Sequence, residues 1–327
     1  MRAIAILVLM TACGGAQDTH ETVPDPVAAA EVAEPVNPLA LLPASSLGVV
    51  TVDFSRLRES AHYATLVRWV DLIPDMTPER AQAIRTVLER GEVAHLALVE
   101  ERSRLNLGSI YVRGDFDMNA AQSLLRTIVD ESVQHELQPR DVEGYPGFGD
   151  ARAALVEIEP GSYVIGPYNH LQPALRSPVV PEAMSNPQVV EARAGLSGTT
   201  VVSGWVVGSE PVWAEVVSAI PIDPSMVRTV QGGAFELDLP GDLNVVAHAR
   251  GESDASAQAL SNRLNQQVDE LTGSFAARAL GLGVIGEGFS SSAEGPMTTA
   301  RLSMTQVDVT SLMERFEGFL RLSAAAR

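Results

Sequence analysis

The 327-residue chain carries 23 basic against 41 acidic residues, a formal charge of −18, and is 46% hydrophobic. That apolar share is ample for a core, while an acidic body is repelled by nucleic acid and by anionic lipid surfaces, so both are poor candidate partners. All the basic residues are arginine, as a GC-rich genome favours, and a single cysteine excludes any disulfide within a monomer.

The chain opens Met1-Arg2, followed by an unbroken apolar run and the small residues Thr11-Ala12 immediately before Cys13. One basic residue, a short apolar stretch and small residues form the layout of a secretory signal. The stretch is far below the roughly 20 residues that cross a bilayer as a helix. Met10-Thr11-Ala12-Cys13 resembles the lipobox of bacterial lipoproteins, with Met10 where leucine is usual. The resemblance implies cleavage after Ala12 and a diacylglycerol on the Cys13 thiol. Several acyl chains on one residue anchor stably, since each buried methylene contributes about 0.8 kcal/mol.

From Gly14 to about Ser46 acidic residues and prolines alternate with no basic residue, from Asp18 through Pro24, Asp25, Pro26 and Glu34 to Pro38. Such composition predicts an extended, disordered acidic linker. As a random coil, about 33 residues would span roughly 30 Å. His20 has no second ligand type nearby and reads as solvated.

The body is expected to begin with a strand at Leu47–Asp53, followed by a helix around 61–70. Thr77 as N-cap with Pro78 at the first helical position opens a second helix. Strands follow over 93–100 and 109–114, then a helix capped by Asp117 that presents Ala121, Leu124, Leu125 and Ile128 on one face. Strands over 153–158 and 163–165 flank the turn pair Pro160-Gly161, and a short helix near 172–175 ends the first half. The second half is expected to repeat this order: a strand over 199–207, a helix opened by Ser209, strands over 227–239 and 243–249, and a helix from Asp254. Strands over 284–291 and 298–304 and a terminal helix burying Val309, Leu312, Met313, Phe316, Phe319 and Leu320 complete it. At constant spacing, Arg113-Gly114 with Asp117, Ala120 and Arg126 matches Arg250-Gly251 with Asp254, Ala257 and Arg263. The fold class read from this is α+β: mainly antiparallel sheets packed by helices, in two similar β-α-β-β-α-β-β-α halves, 47–180 and 181–327.

The signal, the acidic linker and the stretch Leu42-Pro43-Ala44-Ser45-Ser46-Leu47-Gly48-Val49-Val50-Thr51-Val52-Asp53-Phe54-Ser55-Arg56-Leu57-Arg58-Glu59-Ser60 together resemble secreted bacterial lipoproteins of myxobacterial type. That resemblance implies an address and a layout and carries no activity.

Chemistry is sparse. Gly281-Leu282-Gly283-Val284-Ile285-Gly286 matches the dinucleotide fingerprint literally, but that motif needs a strand before it and a helix after it. Here a helix is expected before (275–280) and a strand after, so the glycines read as a helix end and a turn. No Gly-x-Ser-x-Gly elbow occurs, Ser290-Ser291-Ser292 reads as strand surface, and an acylated Cys13 leaves no thiol for catalysis. His62, His95, His135, His170 and His248 are scattered without metal-ligand spacing. The pairs Glu157/Glu159 and Glu236/Asp238 should each share one wet strand face.

The reading is therefore an exported, lipid-anchored envelope protein on the periplasmic or outer-membrane surface. The foremost function is a non-enzymatic interaction or scaffold module; next comes a binder of a small or lipidic ligand in an apolar pocket, then a hydrolase with dispersed site residues. No catalytic, cofactor or metal residue is assigned. The expected partners are the membrane, through the lipid on Cys13, and another envelope protein, with no nucleic acid.

Overall fold

The β-branched and aromatic runs of the body become strands of one sheet, and most of them alternate between two buried faces. The computed structural model describes residues 37–73, 76–128, 137–150, 152–219, 224–274, 277 and 281–325.

Twelve antiparallel strands occur among the described residues: β1 Gly48–Asp53, β2 Gly91–Glu101, β3 Arg104–Gly114, β4 Gln138–Val142, β5 Tyr145–Gly149, β6 Ala153–Glu159, β7 Ser162–Pro167, β8 Val202–Val207, β9 Val230–Asp238, β10 Leu243–Gly251, β11 Phe289–Glu294 and β12 Met297–Met304. The helices are α1 Phe54–Arg58, α2 Tyr63–Trp69, α3 Pro78–Arg90, α4 Met118–Ile128, α5 Tyr168–Arg176, α6 Pro187–Arg193, α7 Glu210–Ala219, α8 Pro224–Val227, α9 Asp254–Gly273, α10 Gly283–Gly288 and α11 Gln306–Ala325. Across the sheet the order is β11-β12-β10-β9-β8-β1-β2-β3-β7-β6-β5-β4. The fold is thus α+β, with helices packed on a large antiparallel sheet.

The two halves repeat one strand order outward from the centre. β1 and β8 pair antiparallel in the middle, with Gly48 opposite Val206 and Val52 opposite Val202. Beyond them lie β2-β3-β7-β6 on one side and β9-β10-β12-β11 on the other, an approximate dyad between β1 and β8. A matched hydrogen bond repeats too: Gly114 N donates to Gly161 O at 3.0 Å, and Gly251 N donates to Pro296 O at 2.8 Å. In each half a strand-ending glycine thereby meets the turn of the next hairpin. The matched aspartates differ, however. Asp117 caps α4 by accepting from Ala120 N at 2.8 Å, whereas Asp254 is the first residue of α9 and Ser253 is its cap, in a reciprocal box with Ser256. Either arrangement satisfies a free amide of the first turn.

The halves are not separate bodies. One cluster on the first face of the sheet joins Val52, Leu96, Val112 and Leu125 to Val202, Leu239, Met304 and Met313. On the opposite face Leu41, Leu42, Val49, Tyr111, Val164 and Leu171 pack with Val189, Ala192, Trp205 and Ala234. Successive residues alternate between these clusters: Leu155 and Ile165 lie in the first, Val156 and Val164 in the second. Burial on both faces is why these strands read as continuous apolar runs. Each half also reaches across the dyad. Ala61 N and the His62 ring donate to Pro240 O and Gly241 O, both at 3.1 Å, while Val212 and Trp213 of α7 pack with Leu105 of β3.

Other boundaries shift from the sequence reading. The linker ends earlier than Ser46: Pro38–Leu41 is a 3-10 turn capped by Asn37, and Leu41 and Leu42 are each 1% exposed. Proline at the start of a turn is compatible with a packed segment, and two leucines repay its ordering. A β4–β5 hairpin lies where the sequence reading assigned no element, turning through Glu143 and Gly144, both at positive φ. The strand expected over 227–239 begins at Val230, after the short α8, and the strand over 199–207 begins at Val202. The one expected over 284–291 is split into α10 and β11, because short apolar runs such as Val284-Ile285 read alike as helix or strand.

Both outer edges are closed to strand addition. On β11 the Asn265 carboxamide pairs with Ser291 as a strand would, accepting from its N–H and donating to its C=O, both at 2.9 Å. On β4, Pro139 lacks an N–H and four of the five residues are exposed and polar or proline. An edge interrupted in this way is a poor template for another chain.

Candidate functional site

Ala12 and Cys13, expected from the sequence to be the cleavage and lipidation residues, lie outside the described residues, as does His135. The body's attachment to the segment that carries them is described. Asn37 accepts from Leu39 N at 3.1 Å, and Leu41 and Leu42 fill the space between α5 and the sheet. The chain therefore leaves the body from a packed element, held further by Glu182 N donating to Ala44 O at 3.1 Å.

The remaining histidines are spread over the fold, each with its own local partner. His95 on β2 shares a hydrogen bond with the Thr51 hydroxyl at 2.9 Å and stacks on Tyr111, with ring centroids 5.8 Å apart. Burial, reinforced by the Arg113 guanidinium, pushes its pKa down to about 4. His248 donates from Nδ1 to Ala192 O at 2.8 Å, tying α6 to β10. His170 on α5 pairs with Glu101 at 2.9 Å. No group of three or more His, Cys, Asp or Glu side chains with metal-binding geometry occurs among the described residues.

The carboxylate pairs are likewise engaged in structure. Glu236 and Asp238 share a face, as alternation requires. Glu236 accepts from Ser197 N at 2.8 Å and from the Ser197 hydroxyl at 2.9 Å, and Asp238 accepts from Arg56 at 3.3 Å. Glu157 and Glu159 do not share a face. A bulge between them sets Glu157 opposite Tyr163 and Glu159 opposite Ser162, and consecutive residues of β7 point to opposite faces. The Tyr163 hydroxyl reaches Glu157 at 3.5 Å and Phe116 O at 3.4 Å, and burial, with Glu157 beside it, raises its pKa to about 12.

The glycine run lies partly within a helix, since Gly283–Gly286 form the first turn of α10, and the strand β11 follows it at Phe289. The fingerprint still lacks its leading strand, because the described element before it is α9. Gly281 takes φ +76° at the turn, and a Cβ on Gly286 would lie 2.4 Å from Thr272 Oγ1, so this glycine serves the contact of α10 with α9.

Two surface recesses are formed mainly by polar side chains. One of about 650 Å³ lies between α3 and α4 and includes Thr77, Arg80, Thr86, Ser123 and Arg126. Another of about 330 Å³ sits beside Gln306, Thr310 and Glu314 at the start of α11. Both open to solvent beside charged side chains, Arg80 and Arg126 in one and Glu314 in the other.

The least expected feature is the β2–β3 turn, which reads in the sequence only as polar. Arg102 and Ser103 occupy it at φ 51° and 59°, without a glycine. Two-residue hairpin turns of this kind normally draw Asn-Gly or Asp-Gly, so the absence of glycine between two strong strands is the signal that marks it.

No family model matches the chain, and no curated protein matches it. Crystal structures of TP0453 are similar in fold. Crystal form III matches with a TM-score of 0.50 at 11% identity, covering 86% of this chain and 98% of that one. Crystal form I gives 0.49 at 10% identity, with the same coverage. At such identity the likeness concerns the arrangement of strands and helices alone.

Proposed function

We propose that this chain is an exported envelope lipoprotein, cut after Ala12, anchored by lipid on Cys13, and serving as a non-enzymatic interaction or scaffold module at the outer membrane. The observation that carries this is the position of the one cysteine, directly after a short apolar run closed by Thr11-Ala12. In this reading the acidic, proline-rich stretch upstream of Asn37 is the spacer, and the secreted lipoproteins of myxobacterial type that the sequence resembles share its layout.

Two features of the body support a module that acts through its surface. The described histidines and the paired carboxylates are hydrogen-bonded into the scaffold at separate places, a structural use of groups that catalysis would bring together. Both sheet edges are blocked, which suits a protein that presents faces and tips while resisting association through its strands.

Metabolic labelling with a fatty acid, followed by mass spectrometry of the amino-terminal peptide, tests the proposal. The expected product begins at Cys13 and carries diacylglycerol, and Cys13→Ser abolishes both the label and membrane fractionation. An unlabelled protein with a free thiol at Cys13 overturns it.

A further inference from the structure

The dyad relates two hairpin tips at opposite ends of the sheet, and the fold treats them differently. The β9–β10 tip is held by Ala61 and His62, and Gln306 N donates to Asp242 Oδ1 at 2.8 Å. At the β2–β3 tip Glu101 is held by His170 of α5 at 2.9 Å and Leu105 by α7, which leaves the turn itself uncovered. β1 pairs with β2 no further than Leu98, and β7 pairs with β3 no further than Ile110. Beyond those levels the hairpin pairs only with itself and is flanked by α5 and α7, with Val99 and Leu105 buried. Leu105 roots it against α7, while Arg102, Ser103 and Arg104 are exposed. Neither guanidinium has a hydrogen bond or ion pair among the described residues.

Three observations converge on this tip. Its backbone is strained, with both turn residues left-handed, whereas the β4–β5, β6–β7 and β11–β12 turns place a glycine at positive φ. It carries two free cations in an acidic protein, and of its flanking carboxylates Glu101 is already paired with His170. It also projects from the end of the sheet where the chain joins the body: Leu47 N donates to Leu98 O at 2.7 Å, and Gly48 lies opposite Leu98. From that level four residues of β-structure carry Arg102 roughly 13 Å past the end of β1. A Debye length of about 8 Å screens most of the acidic body behind such a tip.

We infer that the β2–β3 tip is the body's contact with the membrane, its two guanidinium groups taking the phosphates of anionic phospholipid headgroups. The inference rests on the lipid-tether reading, which places the surface at the end of the molecule where the chain joins the body. Guanidinium donors suit phosphate because they can bind it in bidentate fashion. A tether holds the local concentration high, so two weak contacts suffice to orient the body.

The test uses the mature chain beginning at Cys13, coupled through its one thiol to a maleimide-bearing lipid in vesicles. This chemical tether separates the question from whether cells acylate Cys13. Energy transfer from the tryptophans, of which Trp213 packs beside Leu105, to a dansyl headgroup reports the approach of this end of the body. Transfer should be stronger on phosphatidylcholine vesicles containing phosphatidylglycerol than on phosphatidylcholine alone, and should fall with added salt. The contact population should change on the order of fivefold per arginine. Arg102→Ser with Arg104→Ser should bring transfer down to the neutral-vesicle level at an unchanged urea midpoint, and Arg301→Ser should leave it unaltered. Equal transfer on both vesicle types, or a double variant indistinguishable from wild type, overturns the inference.

Discussion

Acid should weaken this protein through His95 in a way that one substitution can isolate. The ring lies on β2 between Thr51 and Tyr111, its Nδ1 2.9 Å from the Thr51 hydroxyl, and burial with Arg113 beside it holds the pKa near 4 against the ordinary 6.5. Between those values the unfolded chain takes up a proton that the folded one refuses, so the contribution is intact above pH 6.5 and is lost as the pH falls toward 4. The shift corresponds to about 3 kcal/mol at most, gained by the unfolded state over that window. His95→Gln keeps a group able to bond Thr51 but removes the titration. Urea unfolding of both proteins at stepped pH is the assay, because carboxylates protonate alike in each and cancel in the difference. Wild type should lose about 3 kcal/mol more than His95→Gln between pH 7 and pH 4. Parallel pH profiles, or an NMR titration of His95 centred near 6.5, would refute the reasoning.

Three further outcomes follow from packing and backbone geometry. Leu41→Ala or Leu42→Ala should cost 2–5 kcal/mol in urea unfolding (about the range for buried leucine truncation), because each side chain is 1% exposed. Replacing Arg102-Ser103 with Asn-Gly should raise stability by about 1–2 kcal/mol, since both residues sit at positive φ, and an unchanged midpoint would remove the strain argument. Asn265→Ala frees the N–H and C=O of Ser291 on the edge strand, so light scattering should show increased self-association in stressed samples of the variant.

Much of the layout was legible from local chemistry. Thr77 does accept from Arg80 N at 3.3 Å ahead of Pro78, Pro160-Gly161 does turn β6 into β7, and the repeated order of strands and helices in the two halves is present. These follow from caps, turn residues and periodicity, which act within a few residues. What failed in the reading failed where the decisive partner is distant. Pro38–Leu42 looked like linker because nothing nearby shows that its leucines meet α5 and the sheet. The Glu157/Glu159 pair was split by a bulge set by pairing with β7, and the Val284-Ile285 run became helix through contact with α9.

By itself the chain determined its acidic balance, its one thiol, the signal-like start and the alternation that makes α+β the natural class, all being properties of composition and short-range sequence. Tertiary structure alone decided that the halves share one twelve-stranded sheet, that each half packs on the other's hairpin, and that the β9–β10 turn is covered while Arg102, Ser103 and Arg104 are exposed. Those outcomes depend on which strands pair across more than a hundred residues of chain. Burial and long-range hydrogen bonding select that pairing, and neither leaves a local mark.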